Sequence, residues 1–224
     1  MTKLSAAAAA ELIAAAAAQV VEAESDLAAA DREIGDGDHG RGMARGFTAA
    51  TKALSATSLH TVADVFRTAG DALLETMGGA SGVVFGTMLR GDGGSHLRAP
   101  EVDSDALAAH FEDALAKIQE RGHAGVGDKT MVDALDPAVR ALKRAADRGL
   151  PVPDALAAAA EAATAGCEST RPLTARFGKA STLGDRAIGH VDPGALSVAL
   201  IFAAMASAAG IAAHTHSPAP LTRS

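Results

Sequence analysis

Leu59 to Met77, LHTVADVFRTAGDALLETM, is the stretch that decides the fold class. Val62, Val65, Phe66, Ala69, Leu73 and Met77 follow one another at steps that put them on one face of a helix turning every 3.6 residues. The same reading extends to both sides, because alanine, the strongest helix former, recurs through most of the chain while β-branched residues are too scattered to alternate as strands. Helices are predicted at Ser5–Ala30, Arg41–Leu54, Leu59–Met77, Ala80–Leu89, Asp105–Arg121, Thr130–Arg148, Pro153–Ser169 and Pro193–Ala213. Eight helices with glycine-rich connections predict an all-α bundle with its sites at helix ends and loops.

The 224 residues suffice for one substantial core and contain no linker, so residues 1–224 are expected to form a single domain, with 215–224 as a flexible tail. A formal net charge of -7 argues against a nucleic-acid or anionic-membrane surface, which would need clustered Lys and Arg. Cys167 is the sole cysteine and has no internal partner, in keeping with a reducing cytoplasm. The alanine-rich start reads as a helix because Glu11, Glu22, Glu24 and Asp26 interrupt it, unlike an export signal. Gly194 to Ala213 is uncharged and about long enough to cross a bilayer, but its Ala, Ser and Gly content fits a helix buried on most sides within a helical protein.

Chemistry concentrates in Asp31 to Gly40, DREIGDGDHG. Gly35 to Gly40 spells G-x-G-x-x-G, but a helix precedes it where a dinucleotide fingerprint needs a strand, and Asp36 and Asp38 would repel a pyrophosphate. A calcium hand is excluded because Phe47 stands where its final bidentate Glu belongs. Two readings remain for Asp31, Asp36 and Asp38: solvated loop acids and caps, or hard oxygen ligands gathered around a divalent cation. Magnesium keeps open positions for water and phosphate oxygens, so the second reading makes the loop a phosphate site.

Three further segments bear on it. Met77 to Gly82, MGGASG, offers backbone amides and the Ser81 hydroxyl to an anion, or is a glycine hinge with Ser81 as a cap. Gly127 to Met131, GDKTM, carries Asp128 or Thr130 as a cap, or faces the site. Phe177 to Gly194 is a long irregular stretch bearing Lys179, Arg186, His190 and Asp192, of the kind usually kept for function.

Taken together, DREIGDGDHGRGMARGF at Asp31–Phe47, GGASG at Gly78–Gly82, GDKTMVDAL at Gly127–Leu135 and KASTLGDRAIGHVDPGA at Lys179–Ala195 resemble, in order, the nucleotide-binding L subunit (DhaL family) of dihydroxyacetone kinases. The resemblance covers nearly the whole chain. It implies an eight-helix antiparallel barrel, in agreement with the helix count, with ADP or ATP at one end and two magnesium ions held by Asp31, Asp36 and Asp38. Carried over by position, it implies His39, Gly40, Arg41 and Gly42 along the nucleotide, Ala80 and Ser81 at its phosphates, and Gly122 and Met131 at the base. Asp192, Pro193 and Gly194 would close the pocket. With no Trp or Tyr in the chain, the adenine would rest on aliphatic and thioether groups such as Met131.

Two positions depart from the bacterial pattern. Arg41-Gly42 stands where Thr-Asn often follows the His-Gly pair, which is similar to kinases of related ketoses such as erythrulose. Lys179 replaces a common arginine and supplies a point charge without the planar fork. Phosphoryl transfer needs positioning and charge neutralisation, and the catalytic group implied is Lys179 with Asp31, Asp36 and Asp38. The family holds its ketose on a separate K subunit or domain, through a histidine joined to the carbonyl carbon. Bound ADP would then be recharged by a phosphotransferase-system M subunit, or ATP would exchange at each turnover. A regulatory nucleotide-binding protein and a magnesium-dependent phosphatase are the readings outside the kinase class, and the second lacks an evident water-activating base.

Overall fold

A computed structural model describes residues 3–215. The tail expected over 215–224 lies, beyond Thr215, outside the described residues. The helices are α1 (Ala6–Glu22), α2 (Glu24–Ile34), α3 (His39–Ala56), α4 (Val62–Met77), α5 (Gly79–Arg90), α6 (Ser104–Gly122), α7 (Val132–Asp147), α8 (Val152–Ser169) and α9 (Pro193–Thr215). Short 3-10 segments lie at Ser95–Leu97 and Lys179–Ala187. A minimal antiparallel pair, β1 (Leu4–Ser5) with β2 (Glu101–Val102), sets Leu4 opposite Val102 at the entrance to α1.

Local chemistry fixes the helix ends. Ser5 caps α1 by accepting from the Ala8 amide at 3.2 Å, and Thr61 with Asp64 forms a reciprocal capping box at the start of α4. The apolar face anticipated for α4 is buried throughout: Val62, Val65, Phe66, Ala69, Leu73 and Met77 are all in the core. Within α7, Pro137 removes one backbone donor, and α8 crosses there at Gly166, where a Cβ would stand 2.3 Å from the Asp133 carbonyl oxygen.

Packing closes the helices into a ring. Each of α3, α4, α5, α6, α7, α8 and α9 packs on the next, and α1 joins α9 back to α3. Eight staves thus make the all-α barrel that the family resemblance implied. Its lumen is filled where Phe111 of α6 meets Phe66 of α4 at 6.0 Å and Phe202 of α9 at 5.2 Å between ring centroids. These contacts join helices that are not neighbours around the ring, and each buried ring contributes about 1.5–3 kcal/mol of transfer free energy.

Two expectations need correction. The single helix predicted over Ser5–Ala30 is broken at Ala23, where α2 turns by 60° from α1 and lies against α3 and α9 at one barrel end. Burial of Leu27, Ala28 and Ile34 on that end outweighs the continuous helix propensity of the segment. Helix α9, expected to be buried on most sides, is a stave with one open face. Val198, Ile201, Phe202 and Met205 point inward, whereas Ile211 is 65% exposed. It is long and apolar enough to cross a membrane, but it is seated between α8 and α1 as a barrel element.

Candidate functional site

Because neighbouring staves alternate in direction, α3, α5, α7 and α9 all begin at the barrel end where α2 lies. Contacts near their starts agree with this, including Gly194 of α9 against Met131 just before α7. The His39 ring, on the first turn of α3, is 6.0 Å from the Phe85 ring of α5, and its Nε2 is 2.8 Å from Ser197 Oγ of α9. Four helix N-termini at one end gather uncompensated N–H groups and positive dipole ends, an environment suited to an anion. Neither Asp38 before α3 nor Gly78 before α5 caps its helix with a side chain, so the amides of Gly40 and Arg41 in α3 and of Gly79, Ala80 and Ser81 in α5 can meet a ligand.

The acidic loop crosses this end. Asp31, on the last turn of α2, is buried, and Asp36 and Asp38 follow in the exposed turn. One oxygen from each carboxylate lies within 4.8 Å of the other two. Gly35 makes the approach possible, since a Cβ there would stand 2.2 Å from Asp31 Oδ1. Asp31 Oδ2 accepts from the His39 amide at 3.2 Å, leaving its other oxygen for a cation. Three hard oxygen donors with uncommitted lone pairs fit magnesium, whose remaining positions would go to water and phosphate.

Lys179 reaches this cluster from the irregular segment after α8. Its ammonium pairs with Asp36 and lies 3.9 Å from Asp38 Oδ2. The hydrogen bond from Lys179 holds the Asp36 carboxyl below its ordinary range, and the same bond raises the lysine. His39 turns its ring inward to Ser197, which donates onward to the Pro193 carbonyl at 3.0 Å. Burial lowers the pKa of that imidazole and keeps it neutral. The backbone of His39, and not its ring, therefore faces the acidic turn.

A second cluster adjoins the first. Met131 is buried beneath the start of α9, where a Cβ on Gly194 would come within 3.1 Å of the Met131 Cβ. Asp192 caps α9 by accepting from the Ala195 amide at 2.8 Å. Burial pushes its carboxyl up to about 7, and the Asp133 charge adds to the rise. Met131, Asp192, Pro193 and Gly194 are thus brought together, next to His39. Ala80 and Ser81 stand on the opening turn of α5, with Ala80 exposed. Ser81 is inside the helix, so it is not the cap that one reading allowed. Gly122 is the exposed last residue of α6, and Arg41 extends from the first turn of α3 as an exposed cation.

Residues 33–207 match the DAK2 domain. The chain belongs to the DAK2 domain family. Among relatives of this DAK2 domain, the PEP-dependent dihydroxyacetone kinase, ADP-binding subunit DhaL, of Escherichia coli is 39% identical over 183 residues, covering 82% of this chain and 87% of that subunit. The D-erythrulose kinase of Mycolicibacterium smegmatis is 38% identical over 184 residues, covering 81% of this chain and 32% of that kinase. Among solved structures, the dihydroxyacetone kinase from C. freundii in complex with AMP-PNP and Mg2+ is similar with a TM-score of 0.69 and 29% identity, over 90% of this chain and 34% of that one. The DAK2 domain described here thus spans about a third of the solved kinase chains it matches.

Several residues that shape the site were not singled out from sequence. Ser197 orients His39, Thr170 accepts from the Asp192 amide at 2.9 Å, and Asp133 accepts from the Gly127 and Thr130 amides at 2.6 and 2.8 Å. Lys129, inside the quoted GDKTM motif, is 1% exposed. A lysine in a glycine-rich loop gives no sign of burial, and only the folded contacts reveal it.

Proposed function

We propose that this chain is the nucleotide-binding part of a ketose kinase: it holds ADP or ATP with magnesium and passes a phosphoryl group to a ketose bound on a separate K subunit. The observation that carries this reading is the convergence of Asp31, Asp36, Asp38 and Lys179 at an end where four helices begin. Asp31, Asp36 and Asp38 would hold two magnesium ions, which when bound neutralise phosphate charge. The amides of Gly40 and Arg41 and those at Ala80 and Ser81 orient the phosphates, with His39 and Gly42 alongside, and Lys179 moves from Asp36 to the transferring group. Met131, Gly122 and the Asp192–Gly194 turn enclose the base.

In the transfer, the bond from the terminal phosphorus to the nucleotide oxygen breaks and a bond to the ketose hydroxyl oxygen forms, while the hydroxyl proton leaves to solvent or to the partner. Lys179 neutralises the departing charge, and Arg41, exposed on the first turn of α3, adds positive charge near the phosphates. Relatives that work with PEP-dependent systems support recharging of bound ADP by a phosphotransferase-system M subunit. A second ketose, erythrulose, is favoured by Arg41-Gly42 and by the near-equal identity to the D-erythrulose kinase. The barrel role of α9 supports a cytoplasmic location without a membrane span.

The test is transfer to dihydroxyacetone or erythrulose when the chain is mixed with K subunits, supplied with ATP or with a phosphotransferase relay. Phosphorylated ketose that depends on both this chain and a K subunit is expected. Nucleotide hydrolysis without any partner would instead favour a phosphatase, and binding without transfer a regulatory protein.

A further inference from the structure

Residues 171–189 leave and rejoin the barrel at one narrow neck. The Gly189 amide donates to the Arg171 carbonyl at 2.8 Å, and the Asp192 amide donates to Thr170 Oγ1 at 2.9 Å. Between these ends the loop carries Lys179 to the acidic turn. Its near side rests on Asp128, whose carbonyl accepts from the Arg176 amide and whose carboxylate lies 3.1 Å from Arg176 Nη1.

Lys129, the residue after Asp128, reaches across the neck. Its buried ammonium donates to the Thr170 carbonyl at 2.6 Å and the His190 carbonyl at 2.5 Å, one on each strand of the neck. Among the described residues no carboxylate oxygen lies within 4 Å of it. Lys129 takes a left-handed φ of 58°, uncommon for a residue with a side chain, and Asp133 fixes that turn through the Gly127 and Thr130 amides. A buried cation whose direct partners are two carbonyls is costly, and such a residue persists where its bonds define a conformation. Here the bonds join three things: the loop bearing Lys179, the turn opening α9, and the segment ending in Met131.

We propose that Lys129 is a positioning residue that clamps the 171–189 loop shut over the nucleotide, so that it sets how long the nucleotide stays bound. The proposal rests on the nucleotide-binding reading for its consequence, but the clamp itself is a property of the empty chain. Without Lys129 the two neck strands lose their shared donor, the loop opens more often, and Lys179 leaves the acidic turn with it. The predicted loss is local, since the barrel staves do not pass through the neck.

The test uses the full chain with Lys129→Met and Lys129→Arg. Trypsin is applied without nucleotide, with mass spectrometry of cuts after Arg176, Lys179 and Arg186, and release of a fluorescent ADP analogue is timed in magnesium. Lys129→Met is expected to raise both cleavage within 171–189 and nucleotide release by about tenfold or more, with cleavage elsewhere unchanged and Lys129→Arg closer to the parent. A folded Lys129→Met with the parent's loop cleavage overturns the clamp. If that variant does not fold, Lys129→Gln, which keeps a donor but is too short to span both carbonyls, is expected to raise loop cleavage and nucleotide release in the same direction. Parental cleavage and release rates in Lys129→Gln would overturn the proposal as well. A parent chain that binds no ADP analogue refutes the nucleotide reading, and the trypsin arm still decides the clamp.

Discussion

Replacing Asp192 with Asn should stabilise the protein at alkaline pH and leave it unchanged at mildly acidic pH. The folded carboxyl titrates at about 7 against an ordinary 3.8, chiefly because it is buried and secondarily because Asp133 is near. Between those values the native state holds a proton that the unfolded chain has released, so stability falls as pH rises. Over about three pH units at ~1.36 kcal/mol each, the penalty reaches at most about 4 kcal/mol and is complete above pH 7. An Asn side chain keeps an oxygen for the Ala195 amide but buries an NH2 group, at a cost of about 1–2 kcal/mol. The net gain is then about 2 kcal/mol at pH 8 and close to zero near pH 5, where the parent's penalty has fallen to a similar size. Urea unfolding followed by far-ultraviolet circular dichroism, across that pH range, measures the difference. A variant no more stable than the parent at pH 8, or a gain that does not change with pH, would refute the reasoning.

Two glycines on α3 should behave oppositely in thermal unfolding. Gly40→Ala sets a Cβ 2.1 Å from the Glu24 carbonyl oxygen, on backbone that cannot swing aside, and should cost about 1–3 kcal/mol or more, whereas Gly42→Ala meets nothing within 4 Å and should gain up to about 1 kcal/mol. Lys179→Met should leave the melting temperature unchanged, because the side chain is exposed, and slow phosphoryl transfer with a K subunit by about 10²–10³-fold. Unaltered transfer would remove Lys179 from the catalytic group.

How much of this could be read beforehand differs from element to element. The face of α4 was legible because six apolar side chains repeat with the helical period and all are buried. The bend at Ala23 was not, since neither Pro nor Gly marks it; the turn is set by what α2 buries against α3, including the close approach at Gly40. The acidic cluster was legible as chemistry, because three aspartates in a glycine-rich turn repel one another when they converge unless a cation intervenes. The pairing of Lys179 with Asp36 was not, as the two are far apart in the chain and the family resemblance placed Lys179 at a phosphate. The neck at Lys129 was hidden for the same reason: its partners lie 41 and 61 residues away, and charge patterning alone assigns a lysine to solvent. The two-residue pairing of β1 with β2 is too short to leave a periodic signal.

The central claim is that Asp31, Asp36 and Asp38 hold magnesium and that magnesium joins the nucleotide to the chain. With neither Trp nor Tyr, the protein is nearly transparent in the near ultraviolet, so bound adenine nucleotide dominates its absorbance. The measurement is the absorbance retained after dialysis against ADP with magnesium, with magnesium withheld, and with Asp36→Asn in place of the parent. Retention by the parent in magnesium alone, and its loss in both other cases, is the predicted result. Equal retention with or without the metal, or by Asp36→Asn, would contradict the account.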